Sequence, residues 1–170
     1  LAPGVLPYFS VQWVRRGGRM ANRDPTALGL CTASQLVDLY RQGEASPVEA
    51  TRAALERIDR FNPTVNAFTY VDSENALKAA HASARRWGQG NPIGPVDGVP
   101  VTLKDLTDVK GRPSSEGSWT TGEGLCENDA PPAAFLREAG AVLLGQTNTP
   151  EFGWKAVTDN PRWGTTYNPW

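Results

Sequence analysis

The sequence of 170 residues predicts an α/β fold in which helices flank a mixed sheet, an α/β/α sandwich. Two observations carry this prediction. Two capped amphipathic helices open the domain, and residues 99–144 then follow the order strand, long loop, helix, strand. That order is typical of a βαβ crossover, which favours a partly parallel sheet covered by helices.

Capping boxes mark the starts of the first two helices. Residues 32–35 (Thr-Ala-Ser-Gln) form one box, and Gly43 is a plausible stop for the helix that follows. Residues 46–49 (Ser-Pro-Val-Glu) form a second box, with proline at the favoured first helical position. Apolar residues then recur at helical spacing, so we expect this helix to reach about Arg60, before Asn62-Pro63.

Residues 65–71 are typical of a short strand, and Ser73 is expected to cap the alanine-rich helix after it. Further along, residues 99–104 are predicted to form a strand that leaves a Gly/Pro-rich loop. Asp129 can cap a helix whose first turn holds two prolines and which ends at glycine. Residues 141–144 then complete the crossover as a buried strand.

Composition excludes several classes of site and partner. With 17 basic and 18 acidic residues the net charge is −1, so neither nucleic acid nor a membrane is expected as partner. The single histidine, His81, excludes multi-histidine zinc sites, and we expect no metal and no cofactor. Cys31 and Cys126 lie 95 positions apart, which favours reduced thiols and a cytoplasmic protein over a disulfide.

The N-terminal segment differs from the rest. The chain begins with Leu1, and its only methionine is Met20. Residues 1–19 hold two prolines and a basic group without the order of a secretory signal. We therefore expect residues 1–19 to be a disordered extension or upstream sequence, and residues 20–170 to belong to a single domain.

Lys104 is the residue with the clearest chemical potential. Strand alternation places Val101 and Leu103 on one face and Lys104 on the other, at the strand end before a Gly/Ser-rich loop. A partly buried lysine loses its charge more easily, and a neutral amine can take a proton from a hydroxyl. The alternative is a surface lysine that pairs with Asp105 or Asp108. The residue pattern by itself leaves both interpretations open.

Several blocks of the sequence, in order, resemble the amidase signature family. They are Val-Asp-Gly-Val-Pro-Val-Thr-Leu-Lys-Asp (96–105), Gly-Arg-Pro-Ser-Ser-Glu-Gly-Ser (111–118), Asp-Ala-Pro-Pro (129–132), Ala-Gly-Ala-Val-Leu-Leu-Gly-Gln-Thr-Asn (139–148), Pro-Glu-Phe (150–152) and Gly-Thr-Thr-Tyr-Asn-Pro-Trp (164–170). The resemblance covers about residues 31–170. It implies the amidase signature fold, incomplete at the C-terminus, with residues 20–170 as the N-terminal part of one amidase domain.

The resemblance implies a hydrolase of carboxamides that uses a Ser–cis-Ser–Lys triad, with Lys104 matching the general base. The family's two serines follow the Asn-Pro-Trp segment, so none of the serines in residues 1–170 matches them. We therefore expect a small-molecule amide substrate for the parent protein and no amidase activity from these 170 residues alone. A homodimer is compatible with this interpretation.

Four further residues are candidates for substrate binding. Ser118 and Trp119 follow the Lys104 strand in the Gly/Ser-rich loop, where they would border the site or serve as turn residues. The resemblance matches Gly153 and Trp154 to a stretch that lines the acyl side of the pocket in some relatives. For Trp154, packing in the core is the alternative.

Two other functions stay open. One is the A subunit of a glutamyl-tRNA amidotransferase, which is similar to this family and needs partner subunits. Residues 148–154 (Asn-Thr-Pro-Glu-Phe-Gly-Trp) differ from the Asn-Met-Asp-Glu-Phe-Ala-Met pattern of that protein, which favours a stand-alone amidase. The other is a non-catalytic remnant or binding module that kept the fold and lost the serines.

Overall fold

The computed structural model describes residues 25–170, so the expectation for residues 1–19 lies outside the described residues. Within these residues, four helices and five strands follow one another in the order α1 (Ala33–Gln42), α2 (Pro47–Val65), β1 (Phe68–Val71), α3 (Ser73–Gly88), β2 (Pro100–Lys104), α4 (Pro131–Glu138), β3 (Val142–Thr147), β4 (Asp159–Asn160) and β5 (Gly164–Thr165). Short 3-10 turns occupy Pro25–Leu30 and Glu151–Gly153.

The main sheet has three strands in the order β1-β3-β2. Strand β2 runs parallel to β3 and β1 runs antiparallel to it, so the predicted mixed sheet is confirmed. One face packs on α2 and α3, where Val142 and Leu144 meet Leu55 and Ile58. On the other face a separate cluster joins Leu143 to Ala133 of α4, together with Val109. Helices therefore cover both faces, as the predicted α/β/α arrangement requires.

Both predicted capping boxes are present, but α2 ends later than predicted. The Thr32 and Ser46 side chains each accept the backbone N–H three residues on, and the Gln or Glu there returns the bond. Helix α2 continues past Arg60 with Pro63 inside its last turn. The Asn62 side-chain oxygen accepts the N–H groups of residues 67 and 68, just after the helix. These bonds stabilise the last turn of α2, so the helix ends beyond the proline.

Two other predicted caps are wrong by one residue. Asp72, not Ser73, caps α3 by accepting the Asn75 N–H. The Asp72 carboxylate also accepts a hydrogen bond from Arg112. Helix α4 begins after Ala130 without a side-chain cap. Asp129 instead accepts the Lys110 N–H at 2.8 Å and pairs with Arg137, so it fastens the preceding loop to the helix end.

Among residues 25–170, every helix is too short or too polar to span a lipid bilayer.

Candidate active site

Lys104 ends β2 at the edge of the main sheet. Val101 and Leu103 are half-buried while Thr102 and Lys104 are exposed, so the predicted alternation is confirmed. Of the two interpretations that the sequence left open for Lys104, partial burial is not found, since the residue is exposed at the end of an edge strand. Pairing with Asp105 is not found either, since that carboxylate is buried on Ser115.

The backbone around Lys104 is held on both sides. Within β2 and β3, Lys104 pairs with Thr147. The next residue continues the ladder, because the Asp105 N–H donates to the Thr147 carbonyl at 2.9 Å. The Lys104 carbonyl accepts the Thr107 N–H at 2.9 Å and so closes a turn. The exposed lysine therefore ends a strand whose backbone is fixed on both sides.

The Gly/Ser-rich loop after β2 folds back on this strand end. Glu116 and Gly117 both adopt positive φ angles, 50° and 69°, and so make a tight turn. The Glu116 carbonyl accepts the Phe152 N–H at 2.8 Å, which joins the loop to the 3-10 turn after β3. Ser118 is buried, and its hydroxyl donates to Glu151 at 2.7 Å. The Ser118 hydroxyl thus serves the junction of these two loops.

An exposed stack of aromatic and cationic side chains follows Ser118. The Trp119 side chain is 65% exposed, and its indole N–H donates to the Pro161 carbonyl at 3.1 Å. The Arg162 guanidinium lies 5.4 Å from the ring centroids of both Trp119 and Trp163. Such cation–π contacts hold the exposed indole in place.

The turn at Gly153 packs against the segment that follows Lys104. Gly153 has a φ of 69°, and a Cβ there would lie only 2.7 Å from Leu106 Cδ1. A side chain at position 153 would therefore collide with the loop next to the lysine. Trp154 is 75% exposed in the described residues.

The sequence did not predict the hydrogen-bonded group of Asp105, Ser115 and Trp163, which begins at the residue after Lys104. The Ser115 hydroxyl donates to the Asp105 carboxylate and accepts the Trp163 indole N–H at 2.7 Å. Asp105 could have been found, since it directly follows the lysine. Nothing in the sequence connects Ser115 with Trp163, because the two residues are 48 positions apart.

The described residues offer no obvious thiolate or metal chemistry at this end of the sheet. Burial raises the pKa of the Cys126 thiol, and the carboxylate of Asp108 raises it further, so the thiol stays protonated at neutral pH. Within residues 25–170, no three His, Cys, Asp or Glu side chains come together in a group suited to hold a metal ion.

Comparisons with known proteins agree with this geometry. The model of the amidase family matches residues 49–170. An indoleacetamide hydrolase from Bradyrhizobium diazoefficiens is 42% identical over 130 residues, which are 76% of this chain and 25% of the relative. The A subunit of a glutamyl-tRNA(Gln) amidotransferase from Salinispora tropica is 41% identical over 145 residues, 85% of this chain and 30% of the relative.

A solved amidase structure superimposes with a TM-score of 0.75 at 35% identity, covering 81% of this chain and 31% of that one. The chain thus spans between a quarter and a third of the length of these relatives. Fold, ordered sequence blocks and family match agree over most of the described residues. The chain belongs to the amidase signature family.

Proposed function

We propose that the native protein hydrolyses carboxamides to the acid and ammonia or an amine, with Lys104 as the general base. The observation that carries the proposal is the placement of Lys104. It ends strand β2, its backbone is fixed on both sides, and the Gly/Ser-rich loop folds back beside it through the bond of Ser115 to Asp105. The relatives named above, which include an indoleacetamide hydrolase, support the reaction class.

The proposed mechanism is the one that the family resemblance implies. The Lys104 amine takes the proton of a bridging serine, which takes the proton of a second serine as that oxygen attacks the amide carbonyl. The tetrahedral intermediate then expels the amine, which leaves with a proton, and water releases the acid from the acyl-enzyme. In the family both serines follow the Asn-Pro-Trp segment, which here is residues 168–170.

We assign substrate binding to residues 118, 119, 153 and 154. Trp119 and Trp154 present exposed indole rings that suit an apolar or aromatic acyl group. Gly153 keeps the space beside Leu106 free of a side chain. The buried Ser118 contributes through Glu151, by holding the loop from which Trp119 projects.

The test compares the native protein with three lysine variants by the release of ammonia from indole-3-acetamide and from simple aliphatic amides. Lys104→Ala is expected to lower kcat by about 10²–10⁴-fold, the usual contribution of a general base. Lys104→Arg is expected to be equally impaired, because a guanidinium does not give up its proton at neutral pH.

Lys110→Ala is the matched control, since that lysine is also exposed and lies in the same loop, where only its backbone N–H forms a hydrogen bond to Asp129. Its activity should equal that of the wild type. Full activity of Lys104→Ala would overturn the assignment of the base. Absence of hydrolysis by the wild type across the amide panel would favour a non-catalytic module.

The second candidate is the A subunit of a glutamyl-tRNA amidotransferase, which the 41% identity to such a protein over 145 residues favours. That activity would require partner subunits. Hydrolysis of simple amides by the purified protein without partners would support the stand-alone amidase. Activity that appears only with partner subunits would support the amidotransferase.

We also propose a cytoplasmic location, which the thiols of Cys31 and Cys126 support because no disulfide joins them. A homodimer stays a prediction that sedimentation of the native protein would test.

A further inference from the structure

The Ser115 hydroxyl has all of its hydrogen-bonding capacity in use. It accepts the Trp163 indole N–H at 2.7 Å and the Gly117 backbone N–H at 3.3 Å. Both of those groups can only donate, so the hydroxyl proton must point to its third partner, the Asp105 carboxylate. The direction of every hydrogen bond at Ser115 is therefore fixed by chemistry.

The Asp105 carboxylate is buried, and its partners are neutral. Its side chain accepts both the hydroxyl and the backbone N–H of Ser115, the latter at 2.9 Å. Within residues 25–170 Asp105 forms no ion pair, unlike the carboxylates of Asp97 and Asp72. Burial of a carboxylate is strongly disfavoured unless hydrogen bonds or a counter-charge compensate for it, so the two bonds from Ser115 supply this compensation. The backbone N–H of Asp105 extends the β2–β3 ladder. Asp105 therefore ties the loop at Ser115 to the end of β2, directly after Lys104.

Trp163 brings a third segment to the same point. It lies in the turn between β4 and β5, where its backbone N–H donates to the Asn160 side chain at 2.7 Å. Asn160 in turn donates to Asn148 and to the Thr149 carbonyl just after β3. The indole that reaches Ser115 is thus held by the end of the strand that pairs with β2.

We infer that Asp105, Ser115 and Trp163 form a positioning network that fixes the strand end and loop from which Lys104 acts. The inference rests on the proposed function. The three residues do not touch substrate; they act through the backbone of Lys104 and the loop beside it. Because proton transfer depends on sub-ångström placement, loosening this network impairs the chemical step more than the binding of substrate.

The test measures kcat and KM of the native protein for an amide that it hydrolyses. Trp163→Phe keeps an aromatic ring beside Arg162 and removes the N–H donor to Ser115 together with the five-membered ring of the indole. It is expected to lower kcat by about tenfold, and Asp105→Asn by up to about 100-fold, with KM changed less than about twofold. Hydrogen exchange at the Ser115 N–H should become faster in both variants.

Trp87→Phe is the matched control, because it removes an indole N–H that donates at 3.0 Å to the Asp97 carbonyl, on another part of the fold. It is expected to lower the midpoint of unfolding while kcat stays at the wild-type value. Equal kcat for Trp163→Phe and Trp87→Phe would overturn the network.

If Asp105→Asn does not fold, Trp163→Phe together with Ser115→Ala decides the question by the same two readouts. The proposed function fails separately, and visibly so, if Lys104→Ala keeps full activity while Trp163→Phe loses it. In that case the network would position some other catalytic group, and its assignment to Lys104 would be wrong.

Discussion

Replacing Asp97 with asparagine removes the charge from a carboxylate that is 0% exposed. Asp97 lies between α3 and β2, and it accepts Arg86 Nε at 2.8 Å and Arg86 Nη2 at 2.5 Å. A third bond comes from the Ile93 N–H at 3.0 Å. The carboxylate therefore fastens the end of α3 to the loop that leads into the Lys104 strand.

The expected loss in the free energy of unfolding is about 3 kcal/mol. Removing one partner of a buried ion pair costs about 3–5 kcal/mol, because the other charge is left without compensation. The lower end applies, since the Arg86 side chain is 26% exposed and water can solvate part of its charge.

The loss should also depend on pH. Burial by itself raises the pKa of Asp97, but the hydrogen bonds and charge of Arg86 and the hydrogen bond from the Ile93 N–H outweigh it, so that the pKa lies below its usual value. A carboxyl with a depressed folded-state pKa stabilises fully above its unfolded pKa, and the stabilisation is lost as the pH falls through the folded value. The difference between wild type and Asp97→Asn should therefore shrink below about pH 4.

Urea unfolding of the native protein at pH 7 and at pH 3–4 measures both effects. Asp38→Asn is the matched control, because Asp38 pairs with Arg41 at 2.6 Å while both side chains are mostly exposed. That pair should contribute less than about 1 kcal/mol. If Asp97→Asn and Asp38→Asn destabilise the protein equally at pH 7, the structural role assigned to Asp97 is refuted.

Two further predictions concern packing and alkaline pH. In Gly145→Ala the new Cβ would lie 2.1 Å from the Tyr70 carbonyl oxygen, so β1 must shift and unfolding should become easier by about 3 kcal/mol, the upper end for overpacking. Gly88→Ala, which meets nothing within 4 Å, is the control, and an equal urea midpoint for the two variants would contradict the prediction. Burial raises the pKa of the Tyr40 hydroxyl, and the charges of Cys31 and Glu49 raise it further. Since the unfolded chain ionises this tyrosine more easily than the native protein does, the native state loses stability as the pH rises above about 10. Tyr40→Phe loses the bond to the Gly98 carbonyl, about 1 kcal/mol, and should show a smaller alkaline decline in thermal unfolding than the wild type.

Local signals in the sequence predicted the helix starts well where the cap is a hydroxyl. Thr32 and Ser46 cap their helices because the bonding partner lies three residues away on the same turn. Carboxylates were less predictable. Asp129 was predicted to cap α4, but its carboxylate pairs with Arg137 instead. Asp72 caps α3 and also pairs with Arg112, whereas the cap was predicted at Ser73.

In the candidate site, too, some residues were predicted from local sequence signals and others became apparent only in the structure. Lys104 was found from its strand and its sequence block, and the alternation that orients it is confirmed. The sequence left burial and exposure of Lys104 both open, because whether an edge strand is covered depends on elements far away in the chain. Ser115 and Trp163 were missed for a related reason, since their hydrogen bond joins residues with no common pattern.

Periodicity, caps and ordered sequence blocks were enough to determine the fold class and the family and to propose the lysine, since each of these signals is local or nearly so. Tertiary structure alone decided which polar groups are buried together, as in the contact of Asp105 with Ser115 and of Asp97 with Arg86. Hydrogen-bond partners are chosen by distance in space, and the sequence records only distance along the chain.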